Sequence, residues 1–175
     1  MEEENLFPLH LILPMDKLVK VENTMEVFLS GLRRRIVREA LLWLATPYQH
    51  QQRCRGIGCD CIGFPIGVCI NVGLLPTDIR VPYYSTQWHL HQKQELLVET
   101  AIQFGCTEKA SEDFLPGDLV FFKIGLACSH TGLLVSPTEF MHASCSDGKV
   151  MKRAFDRLWK DKLAKRFFCL PGVED

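Results

Sequence analysis

The stretch GIGCDCIGFPIG at residues 56–67 constrains this chain more than any other. Cys59 and Cys61 stand one residue apart, bracketed by glycines and followed by Pro65. Proline lacks an N–H and has a fixed φ, so within a helix it sits most easily in the first turn. A helix carrying Pro65 there places Cys61 at or just before its N-cap, where unpaired amides and the helix dipole favour an anionic sulfur. The apolar segment from Ile62 to Leu75, ending near Gly73 and Pro76, predicts that helix.

The other elements follow from periodicity and punctuation. From Asn23 or Thr24, both good N-caps, apolar residues recur through Phe28, Leu32, Ile36, Ala40 and Leu44 at helical spacing, and Pro47 forces a turn. A further helix is predicted over 90–104. The C-terminal half changes character: DLVFF (118–122), TGLLV (131–135), EFMHA (139–143) and RFFCL (166–170) read as antiparallel strands, with a short helix at 154–165 that turns Trp159 inward. Helices first and strands later make an α+β fold, with helices packed on one side of a small antiparallel sheet or open barrel. Residues 1–30 read as an N-terminal extension and 31–175 as one domain.

Composition limits the partners. The 175 residues carry 20 Lys/Arg and 21 Asp/Glu, a formal charge of −1, so no electrostatic grip on nucleic acid is expected. Arg33, Arg34 and Arg35 read as the solvated side of a helix. The acidic start Met-Glu-Glu-Glu is unlike a secretory signal, and no apolar run approaches the ~20 residues that cross a bilayer. The expectation is a cytoplasmic protein without membrane partners, whose eight cysteines stay mostly reduced.

A thiol nucleophile needs an imidazole, and two segments supply one. SHTGLLV places His130 at the start of a strand, and FMHAS places His142 inside the next. The two differ by an even number, so a tight connection allows a register with both on one face of the sheet. His130 is then the general base and acid, and His142 holds its ring and tautomer. Glycines at 58 and 63 leave space for a substrate carbonyl to approach Cys61.

TPYQH, GCDCIGF, LPGDLVFF, SHTGLLV and FMHAS stand in the order and spacing of the NlpC-type cell-wall endopeptidases, a papain-like cysteine peptidase family that the chain resembles over roughly residues 36–170. TPYQHQ, GIGCDCIG, YYSTQW and FFCLPG make its phage-type branch the nearest. The resemblance implies a papain-like fold with Cys61 as nucleophile, His130 as base and His142 as the residue orienting it. It also implies that Tyr48 contacts bound peptide beside the nucleophile. The reaction implied is hydrolysis of a peptidoglycan stem peptide, between γ-D-glutamate and meso-diaminopimelate or another diamino acid, by way of a thioester. Asp60 has two readings, a ligand for the free amino end of L-Ala-γ-D-Glu or a brace for the turn before Cys61. Many members carry serine directly after the nucleophile, where this chain has Ile62.

Weighed against these are simpler roles. Zinc is disfavoured because the one-residue gap between Cys59 and Cys61 clamps a tetrahedral ion poorly and no second pair follows. Neither a metal nor a cofactor is called for. Cys54 and Cys59 are candidates for oxidative silencing of Cys61. Trp88 is read as groove lining or core, Asp118 as structural, and His50, His89 and His91 as surface or cleft wall. The expected partner is a released muropeptide or a peptidoglycan stem peptide. Phage tail proteins are the partners in an alternative setting, and a catalytically silent binding protein is the alternative of a different class.

Overall fold

The computed structural model describes residues 31–173 apart from 92 and 111, and the side chains of His89 and Lys162 also lie outside what it describes. The expected extension at 1–30, with the helix start at Asn23 or Thr24, falls outside the described residues. Helices α1 (Gly31–Leu41) and α2 (Gly63–Asn71) come first, with a two-stranded ribbon, β1 (Arg53–Cys54) and β2 (Gly58–Cys59), between them. Then follow α3 (Trp88–His91), α4 (Leu96–Gln103), β3 (Thr107–Lys109), β4 (Leu119–Ile124), β5 (Ala127–Ser136), β6 (Glu139–Ser144), β7 (Lys149–Ala154), a π-helical turn (Leu158–Leu163) and β8 (Ala164–Cys169). The six longer-paired strands form one antiparallel sheet in the order β3-β8-β4-β5-β6-β7, which makes the fold α+β.

Both faces of the central strands are buried. Leu119 and Phe121 of β4 join Leu133, Met141 and Phe168 beneath α1, α2 and α4, while Val120 and Phe122 join Leu134, Phe140, Phe155 and Phe167 on the other side. Trp159 of the π-helical turn packs onto that second cluster, its ring 4.8 Å from Phe122 and 5.0 Å from Phe140. Helix α2 is buried without interruption from Gly63 to Cys69, as a helix apolar all round should be. A Cβ at Gly67 would stand 2.2 Å from the Trp43 ring, so glycine sets how closely the end of α1 approaches α2.

Several expectations need correction. The helix predicted at 154–165 shrinks to the π-helical turn Leu158–Leu163, with β8 starting at Ala164, and the segment before it, 149–154, is an unforeseen strand. It pairs in register with β6 from Glu139↔Ala154 to Ser144↔Lys149, because one side of KVMKRA finds backbone partners and a buried seat for Val150. The single helix over 90–104 is divided, with α3 ending at His91 and α4 starting at Leu96. Helix α1 ends at Leu41 rather than Leu44, and the turn after it holds Ala45 at φ 64.

The arginine triplet also departs from the expected solvated face. Position 33 shares the core stripe of α1 with Ile36 and Ala40, and Arg33 is only 1 % exposed. Its guanidinium Nη1 donates to Asp118 Oδ1 at 2.7 Å and to the Pro116 carbonyl at 3.1 Å, and Nη2 to Cys169 Sγ. Arg35 donates to the Val72 carbonyl just past the end of α2. A buried charge is tolerable only when paired, and Asp118, itself fully buried, also accepts from Leu115 N–H and meets Lys109 at 3.3 Å. Arg33→Ala should therefore lower unfolding free energy by about 3 kcal/mol, the lower end for breaking a buried pair, read as a fall in urea midpoint, since Asp118 loses its nearer cation and keeps Lys109.

Candidate active site

Cys61 immediately precedes Ile62, the N-cap residue of α2, with Pro65 in the helix's first turn. What holds this turn is Asp60. Its carboxylate, 1 % exposed, accepts the N–H groups of Ile62 and Gly63 on Oδ1 at 3.2 and 2.8 Å. Oδ2 accepts the N–H of Gln51 at 2.7 Å and the Tyr84 hydroxyl at 2.6 Å, and lies 3.2 Å from His50 Nδ1. This caps two amides of the helix start, the work an acidic N-terminal residue does best. A carboxylate has about four acceptor positions, and here the chain itself fills them. Of the two roles open to Asp60, the geometry displays the brace.

The glycines flanking the cysteines serve a related purpose. A Cβ on Gly63 would lie 1.9 Å from the Gln52 carbonyl oxygen, and one on Gly58 would lie 2.3 Å from Gln49 Oε1. The close approach is made by the protein's own 49–52 loop, not by an open path for substrate.

Helix α2 delivers Cys61 against β5. The sulfur lies 4.0 Å from the Ser129 carbonyl oxygen, and the Thr131 hydroxyl donates to the Cys61 carbonyl. These contacts fall on the residues immediately before and after His130, and Cys61 and His130 line one cleft of about 310 Å³. Tyr48, Asp60, Tyr84, Trp88 and Cys145 line it too. Trp88 is thus both buried and a cleft wall. His50 lines the cleft, its Nε2 donating to the Tyr84 carbonyl, and His91 is exposed. A second basin of about 540 Å³, flanked by Arg53 and Arg80, shares Ile62 and Tyr84 with this cleft.

The two histidines meet directly: His130 Nε2 and His142 Nδ1 are 2.7 Å apart, with the rings near perpendicular at 85°. They are not cross-strand partners. The register Leu133↔Met141 and Leu134↔Phe140, continued along both strands, sets His142 opposite Gly132, so His130 is its diagonal neighbour on the same face. At Gly132 a Cβ would stand 2.6 Å from the Phe140 ring, so a side chain there would crowd the rings beside the pair. Phe122, Phe140 and Trp159 surround the two imidazoles at ring distances between 4.8 and 6.3 Å from one another and from the histidines. Beyond His142, Arg153 Nε donates to His142 Nε2 at 3.1 Å, and Arg153 Nη2 pairs with Asp147.

The electrostatics differ from what the helix terminus alone predicts. Burial, then the Asp60 carboxylate, push the Cys61 thiol up to about 12, against a smaller opposing effect of the Thr131 and Cys61 backbone amides. Burial, then His142, lower His130 to about 3, and burial, then Arg153, lower His142 to about 4. Burial chiefly raises the Tyr48 hydroxyl, reinforced by Cys61 and Asp60. At neutral pH the unliganded site therefore holds a thiol and two neutral imidazoles.

Some functional neighbours were missed in the sequence. Tyr84 sits in YYSTQW, whose two adjacent tyrosines gave no basis for choosing between them: Tyr84 is buried on Asp60 and Tyr83 is 81 % exposed. Thr131 is next to His130 and signals nothing by type, and Arg153 stands in a basic stretch with no motif to mark it. Cys54 is exposed and does not line the cleft, and Cys59 is buried in the core with its thiol pushed up to about 12, chiefly by burial. The second cysteine of the cleft is Cys145. Among the described residues no group of three or more His, Cys, Asp and Glu side chains could hold a metal ion, and no helix is long and apolar enough to cross a membrane.

The depressed histidines carry a sign. Below about 6.5 the unfolded chain takes up protons that folded His130 and His142 refuse. Stability present above that pH is lost as pH falls toward about 4 and 3, at up to about 1.4 kcal/mol per pH unit for each group. Urea midpoints measured from pH 7 to pH 4 should fall accordingly, with a shallower slope for His142→Asn.

The model of the NlpC/P60 family matches residues 45–167, within the span that the sequence motifs mark out. Over 122 residues the chain is 31% identical to "Probable endopeptidase NlpC" of Escherichia coli strain K12, an alignment spanning 69% of this chain and 66% of that protein. Among solved structures, the NlpC/p60 domain of the peptidoglycan hydrolase SagA superposes with a TM-score of 0.54 at 18% identity, covering 82% of this chain and 98% of that one. The peptidoglycan hydrolase RipB of Mycobacterium tuberculosis gives 0.52 at 19% identity, over 91% and 79%. A lipoprotein-like NLP/P60 protein of Staphylococcus aureus gives 0.57 at 20%, over 85% and 43%. These likenesses share the papain-like α+β fold, and the match over most of its length shows that the chain belongs to the NlpC/P60 family.

Proposed function

We propose that the protein is a cysteine endopeptidase that hydrolyses peptidoglycan stem peptides, at the γ-D-glutamyl-meso-diaminopimelate bond of small released muropeptides. The observation that carries this reading is that Cys61 and His130 line one cleft, with the sulfur 4.0 Å from the Ser129 carbonyl next to His130, while His142 Nδ1 stands 2.7 Å from His130 Nε2. A thiol, a base and an orienting group are the parts of a nucleophilic acyl-transfer site.

In the proposed reaction the Cys61 sulfur attacks the γ-carbonyl of D-glutamate as its proton passes to His130. The oxyanion is met by the backbone N–H of Cys61 at the helix start. His130 then hands that proton to the departing amine of the diamino acid, leaving a thioester on Cys61. Water, deprotonated by His130, attacks the thioester, releases the glutamyl carboxylate and returns the proton to sulfur. Tyr48 and Trp88 form walls for the peptide, while Asp60 fixes the turn that presents the sulfur. A cleft of about 310 Å³ is within the range that holds a short peptide fragment, which supports free muropeptides, as they occur in the cytoplasm, over intact wall.

The test is incubation with L-Ala-γ-D-Glu-meso-diaminopimelate and with intact sacculi, with mass analysis of the products. Wild type should release L-Ala-γ-D-Glu from the tripeptide, faster per bond than from sacculi, and Cys61→Ala should lose on the order of 10³-fold or more in rate. Equal turnover by Cys61→Ala removes the thioester mechanism.

A further inference from the structure

The hydrogen bond from Arg153 to His142 has a chemical direction that the proposed mechanism does not use. A guanidinium has N–H donors only and stays charged in proteins, so His142 Nε2, 3.1 Å from Arg153 Nε, must present a lone pair. A neutral imidazole carries one N–H, which places the His142 proton on Nδ1. That N–H points at His130 Nε2, 2.7 Å away, which must accept it. His130, neutral as well, then carries its own proton on Nδ1. In this state the base has no lone pair to offer a thiol.

Every alternative breaks the contact with Arg153. If His130 Nδ1 is to take the Cys61 proton, His130 Nε2 must donate to His142 Nδ1, and the His142 proton moves to Nε2, into the Arg153 N–H. The same collision arises when His130 or His142 is an imidazolium. Counting the three protons shared by Cys61, His130 and His142, the locked state holds them on sulfur, His130 Nδ1 and His142 Nδ1. The competent ion pair holds them on both nitrogens of His130 and on His142 Nε2. The number is unchanged, and only the last position is denied by Arg153.

We propose that Arg153 is a tautomer lock: its guanidinium holds the Cys61–His130–His142 system in a proton-blocked resting state, and the site becomes competent when Arg153 withdraws from His142. Arg153 has somewhere to go. Its side chain is 37% exposed and already pairs through Nη2 with Asp147, which the Ser144 hydroxyl and its own backbone N–H anchor in the turn after β6. The groups facing His142 are His130 from β5, Arg153 from β7, Asp147 from the turn, and the Phe140 and Trp159 rings. Arg153 is thus the donor fixing Nε2. The lowering of both histidines and the raised thiol agree with a neutral resting site.

This inference rests on the thiol-peptidase reading only for its consequence, and the two are separable. ¹⁵N-histidine spectra at pH 7 report which ring nitrogen of His142 is protonated. Wild type and Arg153→Lys, both donors, should show Nδ1–H. Arg153→Gln, whose amide oxygen can accept, should show Nε2–H. Alkylation of Cys61 by iodoacetamide, counted against a Cys61→Ser background, should quicken at least about tenfold in Arg153→Gln, as expected for a thiol pKa lowered by ~1 unit, and stay slow in Arg153→Lys. A merely structural Arg153 would leave the tautomer alone and slow the reaction or leave it unchanged. Wild-type His142 protonated on Nε2 overturns the lock, and that spectrum decides even where Arg153→Gln does not fold. The expected tautomers and alkylation rates with no stem-peptide cleavage would keep the lock and discard the peptidase reading; cleavage with Nε2–H in wild type would do the opposite.

Discussion

The buried carboxylate of Asp60 is the constraint on which the site depends. It sits between the start of α2 and the loop at 49–52, bonding to both, and it reaches Tyr84 beyond them. Without it two amides of a buried helix start would face no acceptor, and the backbone before Cys61 would have no reason to turn where it does. The same charge acts against ionising the sulfur beside it. Asp60 therefore gives position at the expense of reactivity, and the sulfur must recover its reactivity from the histidines.

The sheet supplies that counterpart in the same manner, through packing. Because β4, β5 and β6 are buried on both faces, His130 and His142 can be set among aromatic rings rather than water. Desolvation keeps both neutral, and the contact between them is then governed by which nitrogen carries a hydrogen rather than by net charge. The chain of contacts continues from His142 through Arg153 to Asp147 at the solvent boundary.

Much of this was legible in the sequence, for identifiable reasons. Pro65 and the unbroken apolar run after Ile62 announce a helix start, and the position of Cys61 follows. The histidines stand in short apolar strands, where an even separation and a two-residue turn leave few registers, although the diagonal relation was not readable because it depends on the slip between Leu134 and Ser136. Arg33 was read outward because charge outweighs helical phase when nothing local opposes it; its partner is 85 residues away. Strand β7, half polar and flanked by a basic segment, lacks a strand's alternation of apolar residues, and only pairing with β6 makes it one.

The short segment at 45–48 joins two parts of the molecule. Its backbone bonds outward to Val150 and Gly148 on the β7 side, and Pro47 and Gln49 bond inward to Cys59, two residues before the sulfur. It acts as a clasp along one margin of the cleft, fastening the sheet's last strand to the loop that carries the nucleophile. With that margin closed by main-chain bonds, the sulfur and the strand bearing Arg153 cannot slide past each other independently. The cleft's other walls include Tyr84, held on Asp60, and Trp88 at the start of α3.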